Sequence, residues 1–373
     1  MTQSQDHALA AELCLPSTDM KADLDFFTAT LDFRLDAIYP ADDPAVAVLS
    51  AHGLRIRLER GAVVTPAVVR LLCDDPDALA GGKRELTAPN GTRILIVDAN
   101  PKLEIPSTVH AFGVRRLKDR TPCVLGRAGM HYIDLIPGRL GGSIIASHIH
   151  IPDAGPVPDM VHYHTVRFQL IFCYRGWVRL VYEDQGPPFI LRAGDCVTQP
   201  PGIRHRVLES SDNLQVIEIV VPAAHLTTID HEMELPTPIL KPDRDFLGQT
   251  FCRSEAANAV WTPWRLKGFE ARETGIGAAT GGVASVQIAR AAGPTHGQIW
   301  SHTSDILFTF VLSGSVTLRG DGLGVHALTE GDAYVIPPNL KTSLSADSAD
   351  LQFLEVSLPA AFETRTYADE QLP

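Results

Sequence analysis

The feature that most constrains this chain is that it repeats itself. Residues 194–205 read GDCVTQPPGIRH and residues 331–342 read GDAYVIPPNLKT. Both begin Gly-Asp, and both set Pro-Pro six and seven residues after that Gly. The likeness extends on either side. ASHIHIPDAGPVPDMVHYH (146–164) aligns without a gap to ASVQIARAAGPTHGQIWSH (284–302), FQLIFCYRGWVRL (168–180) to ILFTFVLSGSVTL (306–318), and LQVIEIVVPAAH (214–225) to LQFLEVSLPAAF (351–362). The offset is 138 residues before the Gly-Asp motif and 137 from it onward. A duplicated module of about 110 residues explains this. Each copy is built of short β-branched and aromatic runs broken by Gly, Pro, Asn and Asp, the pattern of an antiparallel all-β sandwich or barrel.

At 373 residues the chain has room for more than two such modules. The first 100 residues follow a different pattern. Thr18 or Asp19 is placed to cap a helix whose Leu24, Phe27 and Leu31 share a face. Strand-like runs follow at FRLDAIY, AVAVLSA, LRIRLER and VVRLLCDD, and Asn90-Gly91 marks a hairpin in TAPNGTRILIVD. The net charge of −12 and the lack of basic runs argue against nucleic acid as a partner. The polar N-terminus and the absence of a long apolar run predict neither signal peptide nor membrane span. Six scattered cysteines without Cys-x-x-Cys read as free thiols of a reducing compartment, so a cytoplasmic protein is expected.

The chemistry concentrates in the first copy. HYHTVRFQLIFCYRG places His162, His164, Gln169 and Gly176 in one frame; Gly194, Pro200, Gly202 and His205 form a second. Residues two apart on a strand face the same way, so His162 and His164 point to one side. A strand arriving after a Pro-Pro-Gly turn brings His205. Three imidazoles on one side of an ion leave the other side open, which suits Fe(II), Mn(II), Ni(II), Co(II) or Zn(II). Against this, a single histidine is more often a satisfied core residue. Three in two matched frames favour a metal.

The two frames resemble the paired signature motifs of the cupin superfamily, over about residues 110–230, with a degraded copy over 265–365. The departure is Gln169, where that pattern usually has Glu. A neutral ligand set favours an anionic substrate; alternatively Gln169 holds substrate and not metal. The first 100 residues resemble the vicinal-oxygen-chelate, glyoxalase-like module on LPSTDMKADLDFFTATLDFRLD and APNGTRILIVD. Of that family's metal ligands only Glu59 is a plausible survivor, so this domain reads as structural or as a lid. The resemblances imply a mainly β chain: two cupin (double-stranded β-helix, jelly-roll) barrels plus a small α+β glyoxalase-like N-terminal domain. The expected domains are 1–100, 101–231 with the metal site, and 232–373 with a connecting segment and a degenerate second barrel.

Positions kept in both copies, among them Gly194/Gly331, Pro200/Pro337 and Glu218/Glu355, read as scaffold. Trp300, Leu307 and Thr342 stand where the first copy has His162, Gln169 and His205, and only His164/His302 is shared. His296 has no spacing that lets it substitute. One metal per chain is expected, Fe(II) favoured, on His162, His164, Gln169 and His205. His148 and His150, one strand earlier, are candidate acid/base residues if they face the interior, and rim or interface residues if they do not. His225 reads as a surface residue. Arg204 and Arg167 are candidates to clamp a carboxylate, but solvent-exposed arginines are the more ordinary reading. The function the cupin resemblance implies is a non-haem Fe(II) dioxygenase acting on a small anionic or aromatic metabolite with dioxygen. A Lewis-acid isomerase, lyase or hydrolase, or a non-catalytic small-molecule binder, would use the same site. A homodimer is expected, since sheet edges need cover.

Overall fold

The computed structural model describes residues 12–40, 44–63, 65–119, 123–295 and 297–367; His296 lies outside them. The chain divides into two compact units, one through Lys102 and one from Leu103. Among the described residues no helix is long and apolar enough to cross a membrane.

The first unit begins with strand Leu13–Ser17, helix Met20–Asp25 and a π-helical turn Phe26–Thr30. Asp19 caps the helix by accepting the Ala22 N–H at 3.1 Å. Strands Arg34–Tyr39, Val46–Ala51 and Leu54–Arg60 complete a four-stranded sheet in which the first strand pairs parallel with the last. A three-stranded sheet follows, Arg93–Asp98 lying between Val68–Cys73 and Glu85–Thr87, with the Asn90-Gly91 turn in its hairpin. Phe27, Leu31, Leu49, Ile56 and Ile94 are buried in one core. Glu59 is half exposed and bonds Arg57.

The second unit is two barrels of two sheets each. In the first barrel the larger sheet runs, in spatial order, Arg253–Ser254, Cys196–Thr198, Phe168–Arg175, Leu214–Val221, Ile145–Ile151, His131–Asp134, Val124–Leu125. The smaller runs Phe189–Arg192, Trp177–Tyr182, His205–Ser210, His162–Thr165, Leu226–Ile229. The second barrel repeats this with Trp261–Pro263, Phe269–Glu273, Ser285–Ala291, Gln352–Leu358, Ile306–Ser313, Ala333–Val335, Gly113–Arg115 and, opposite, Gly324–Thr329, Ser315–Gly320, Thr342–Ala346, Ile299–His302, Thr364–Tyr367. The two large sheets meet face to face. Phe168, Leu170, Phe172, Ile217 and Ile219 pack with Ile288, Phe308, Phe310, Leu354 and Val356 in one core. Because strand side chains alternate, the remaining residues of these strands turn into the barrels.

Two features of this arrangement escape the sequence repeat. Each barrel takes an edge strand from the arm that precedes the other. Gly113–Arg115, before the first barrel, pairs with Ala333–Val335 of the second. Arg253–Ser254, before the second, pairs with Cys196–Thr198 of the first. The repeated Gly-Asp turn receives these arms. Asp195 accepts the N–H groups of Arg192 and Ala256, and Asp332 those of Thr329 and Leu117. Gly194 and Gly331 both have positive φ, and a Cβ on either would lie 3.0 Å from the arriving Ala256 or Leu117 side chain.

The gap-free alignment of 146–164 with 284–302 is also corrected. His148 lies across from Ile217, and Ile288 lies across from Leu354, the counterpart of Ile217. The offset in this strand is therefore 140 (288 less 148), and Ile288 and Arg290, not Val286 and Ile288, match His148 and His150. The following strand returns to 138, since His162–His205 and Trp300–Thr342 are equivalent pairs. The connection is two residues shorter in the second copy, and the shared Ala-Gly-Pro within it conceals the gap.

Candidate metal centre

His162 and His164 lie on one strand, and His205 opens the adjacent one, directly across from His162. Each offers a ligand nitrogen lying within 4.8 Å of the others, and theirs is the one such His/Cys/Asp/Glu group among the described residues. The ring centroids are 4.2 Å apart for His162–His205, 5.1 Å for His162–His164 and 5.2 Å for His164–His205.

The rings are oriented from behind. His162 Nδ1–H donates to the Met160 carbonyl at 2.8 Å and His205 Nδ1–H to the Ile203 carbonyl at 3.0 Å. These bonds fix the tautomer that leaves a lone pair on Nε2, as a metal ligand requires. His164 Nδ1 pairs with the Thr227 hydroxyl at 2.9 Å. The buried carboxylate of Asp159 stands 3.7 Å from His162 Nδ1 and accepts the Met160 and Val207 N–H groups.

Gln169 is fully buried on the neighbouring sheet. Its Nε2 donates to Glu218 at 2.9 Å, and its Oε1 is buried without a partner. A carboxylate accepts only, so Glu218 dictates which way the amide lies: N–H groups to Glu218, carbonyl away from it. A buried carbonyl oxygen with no donor costs free energy unless something electropositive meets it. Three imidazoles presenting Nε2, an orphaned carbonyl and a nearby carboxylate fit a divalent ion.

The histidines open onto a cavity of about 310 Å³. Its walls are mostly aliphatic, including Ile145, Ile149, Ile171, Leu180, Val207 and Val216, with Tyr132, Ser147, Gln199, Glu218, His225 and Thr227 as polar positions beside the three histidines. Cys173 and Cys196 are buried, and burial pushes both thiols up to about 12, which makes them inert.

The structure corrects three expectations. The candidate acid/base residues His148 and His150 do not face this cavity; Ser147, Ile149 and Ile151 do. His148 points between the barrels, its ring 6.0 Å from Phe310 and 5.8 Å from Tyr174, and its Nε2 pairs with Gln215. His150 pairs with Asn213 on the same outer face. The reason is parity, which sequence alone leaves open for a strand buried on both sides. His225, expected at the surface, lines the cavity with its ring 5.5 Å from that of His164. Glu218, read as scaffold, lines it too. Its counterpart Glu355 is instead clamped by Arg265 at 2.6 and 2.5 Å. Arg204 bonds Asp230 and stacks on Tyr163, Arg167 is exposed, and neither reaches the cavity. Asp159, Thr227 and Gln199 carry no motif signal and were legible only once the strands were paired.

No family model matches this chain, and no curated protein matches it. Solved structures do. A salicylate 1,2-dioxygenase from Pseudaminobacter salicylatoxidans is 15% identical, with TM-score 0.54, over 70% of this chain and 90% of its own. An oxalate decarboxylase variant from Bacillus subtilis is 12% identical, with TM-score 0.51, over 70% of this chain and 81% of its own. Procruciferin, an 11S globulin from Brassica napus, is 10% identical, with TM-score 0.50, over 70% and 87%. One fold thus spans two enzymes of different reaction and a globulin, so it does not by itself select a function. At these identities the likeness is one of fold, and the fold is mainly β, with two cupin barrels in one chain.

Proposed function

We infer that the first barrel is a metal-dependent enzyme site, and that the reaction is dioxygenation of a small, largely apolar molecule held through its oxygens. The observation that carries this reading is the set of three imidazoles, two with Nδ1 bonded to backbone carbonyls, facing an aliphatic cavity. His162, His164 and His205 would hold one divalent ion, Fe(II) favoured, with the Gln169 carbonyl as the fourth protein ligand. Such an ion supplies a coordination site for substrate oxygens and, as iron, one-electron chemistry with dioxygen. The chain's own part is orientation and exclusion. Asp159 and the Met160 carbonyl hold the His162 ring, Thr227 holds His164, and the aliphatic walls keep water from the reacting face. A salicylate dioxygenase among the structural neighbours supports the reaction class, and the apolar lining suits an aromatic ring better than it suits a small dianion.

Anaerobic reconstitution with Fe(II) or Zn(II), followed by an oxygen-uptake screen over catechols, hydroxybenzoates and diketones, tests this. Iron-dependent oxygen consumption with at least one class is expected. Conversion supported equally by zinc, without oxygen uptake, would transfer the site to Lewis-acid chemistry.

A further inference from the structure

The first cavity is lined by a carboxylate and, among the described residues, by no lysine or arginine. The one acidic side chain in its wall is Glu218. Asp159 adds a second carboxylate behind His162. These two carboxylates would offset the charge of one divalent ion, and the wall supplies no lysine or arginine for an anionic substituent.

We propose that this cavity selects an uncharged substrate and rejects its carboxylate-bearing analogues, with Glu218 as the specificity-determining residue. The inference rests on the reading of the first barrel as the substrate site and narrows it: the substrate is a neutral, largely apolar molecule, not a carboxylate. Three observations carry it. Glu218 is fixed in place, since the Gln169 amide donates to it at 2.9 Å and Gln169 is itself fully buried. Its strand neighbour across the sheet, Ser147, also lines the cavity, so this end of the wall is the polar end at which a substituent would seek hydrogen bonds. The rest of the wall is mostly aliphatic, and its polar groups, such as Tyr132, Gln199 and Thr227, include no lysine or arginine to meet a carboxylate. A substrate carboxylate at this end would therefore meet Glu218, charge against like charge, with no lysine or arginine in the wall to offset it. A neutral hydroxyl would instead donate to Glu218, and a neutral carbonyl would accept from the Ser147 hydroxyl.

The second barrel shows the alternative. There Arg265 reaches inward and occupies Glu355, so a guanidinium stands where the first barrel has none.

The test is paired binding to the full chain, with and without reconstituted metal. 4-Methylcatechol and 3,4-dihydroxybenzoate differ by a carboxylate at similar size, and calorimetric titration gives both affinities. Tighter binding of the neutral member by about tenfold or more is expected in the wild type, as like-charge juxtaposition implies. Glu218→Gln should shrink that ratio several-fold, with the melting temperature as the folding control. Equal or tighter binding of the carboxylate, binding of neither, or an unchanged ratio in a folded Glu218→Gln variant would each overturn the proposal. The wild-type comparison needs no variant, so the claim stays exposed even if Glu218→Gln does not fold. Metal content is measured separately. A chain that discriminates the pair but takes up no metal would keep this inference and sink the proposed reaction.

Discussion

The two barrels share a frame and differ at their centres. In the first, His162, His164 and His205 present nitrogens to one another and the surrounding space is open. In the second, Trp300, Leu307 and Thr342 take the places of His162, Gln169 and His205, and all three are buried. The shared histidine is held differently as well. His164 bonds Thr227 through Nδ1, whereas His302 turns Nε2 to the Ile336 carbonyl at 3.1 Å. Arg265 stacks 3.9 Å over Trp264 and 5.1 Å over Trp300 while clamping Glu355. An indole therefore stands where the first barrel has an imidazole, with a fixed cation beside it, while the second barrel keeps a cavity of about 440 Å³ whose lining includes Arg265 and Glu355. The difference teaches that a site can be dismantled while its scaffold is kept, because scaffold and ligands occupy separate positions of the same strands.

The largest effect that would break this comparison is metal stoichiometry. Reconstituted protein should hold one divalent ion per chain. His162→Ala or His205→Ala should lose most of it, since two imidazoles make a poor site, and His302→Ala should lose none. Two ions per chain by elemental analysis, one of them surviving in the double variant His162→Ala/His205→Ala, would show that the second barrel also binds.

The next effect concerns the ion pair inside the second barrel. Glu355 is 5% exposed, so Glu355→Gln leaves the Arg265 charge without its partner. Breaking a buried pair in this way costs about 3–5 kcal/mol, whereas replacing both residues by apolar ones of similar volume is nearly neutral. Urea unfolding of Glu355→Gln beside Arg265→Met/Glu355→Leu separates the two cases. A single variant as stable as wild type would mean that water in the adjoining cavity solvates the pair.

His302 gives a smaller and pH-dependent effect. Burial, with Arg265 adding to it, lowers its pKa from 6.5 to about 4. The folded state holds this ring neutral while the unfolded chain protonates it near 6.5, so the contribution is full above that pH and is lost as pH falls toward 4. Protonation of the unfolded chain alone costs the fold about 1.4 kcal/mol for each pH step below 6.5, so the loss between pH 7 and pH 5 is about 2 kcal/mol. His302→Gln should flatten the stability–pH curve by that amount. An unchanged slope would place the His302 ring in water.

How much of this was legible in the sequence follows from what each residue depends on. His162, His164 and His205 were readable because an i, i+2 pair and a Pro-Pro-Gly turn are local facts. The face of His148 was not, because its strand is buried on both sides, and neither alternation nor composition tells a cavity wall from an inter-barrel core. Glu218 was misjudged by comparison with Glu355. The two differ through Arg265, which precedes the aligned stretches of the repeat, the first of which begins at Ala284. The exchanged edge strands were invisible for a plainer reason: Gly113–Arg115 and Arg253–Ser254 are three and two residues long, too short to carry a period.

Where the barrels agree, they should respond alike, and this gives the smallest and most symmetrical expectation. Asp195 and Asp332 are both buried, and each accepts one N–H from its own turn and one from an arriving arm. An asparagine has one oxygen and one NH2 group, so it satisfies only one of the two donors and sets its own N–H against the other. The loss is about 1–2 kcal/mol per site. Asp195→Asn loosens the arm around Ala256 from the first barrel, and Asp332→Asn loosens the arm around Leu117 from the second. Hydrogen exchange should therefore rise in the arm opposite in sequence to the mutated barrel: near 253–258 in the first variant and near 113–119 in the second. Near-equal losses of stability with crossed exchange patterns would support the strand exchange. Exchange confined to the mutated turn, with both arms still protected, would mean that the arms are held by their packing and that the Gly-Asp motif serves only its own turn.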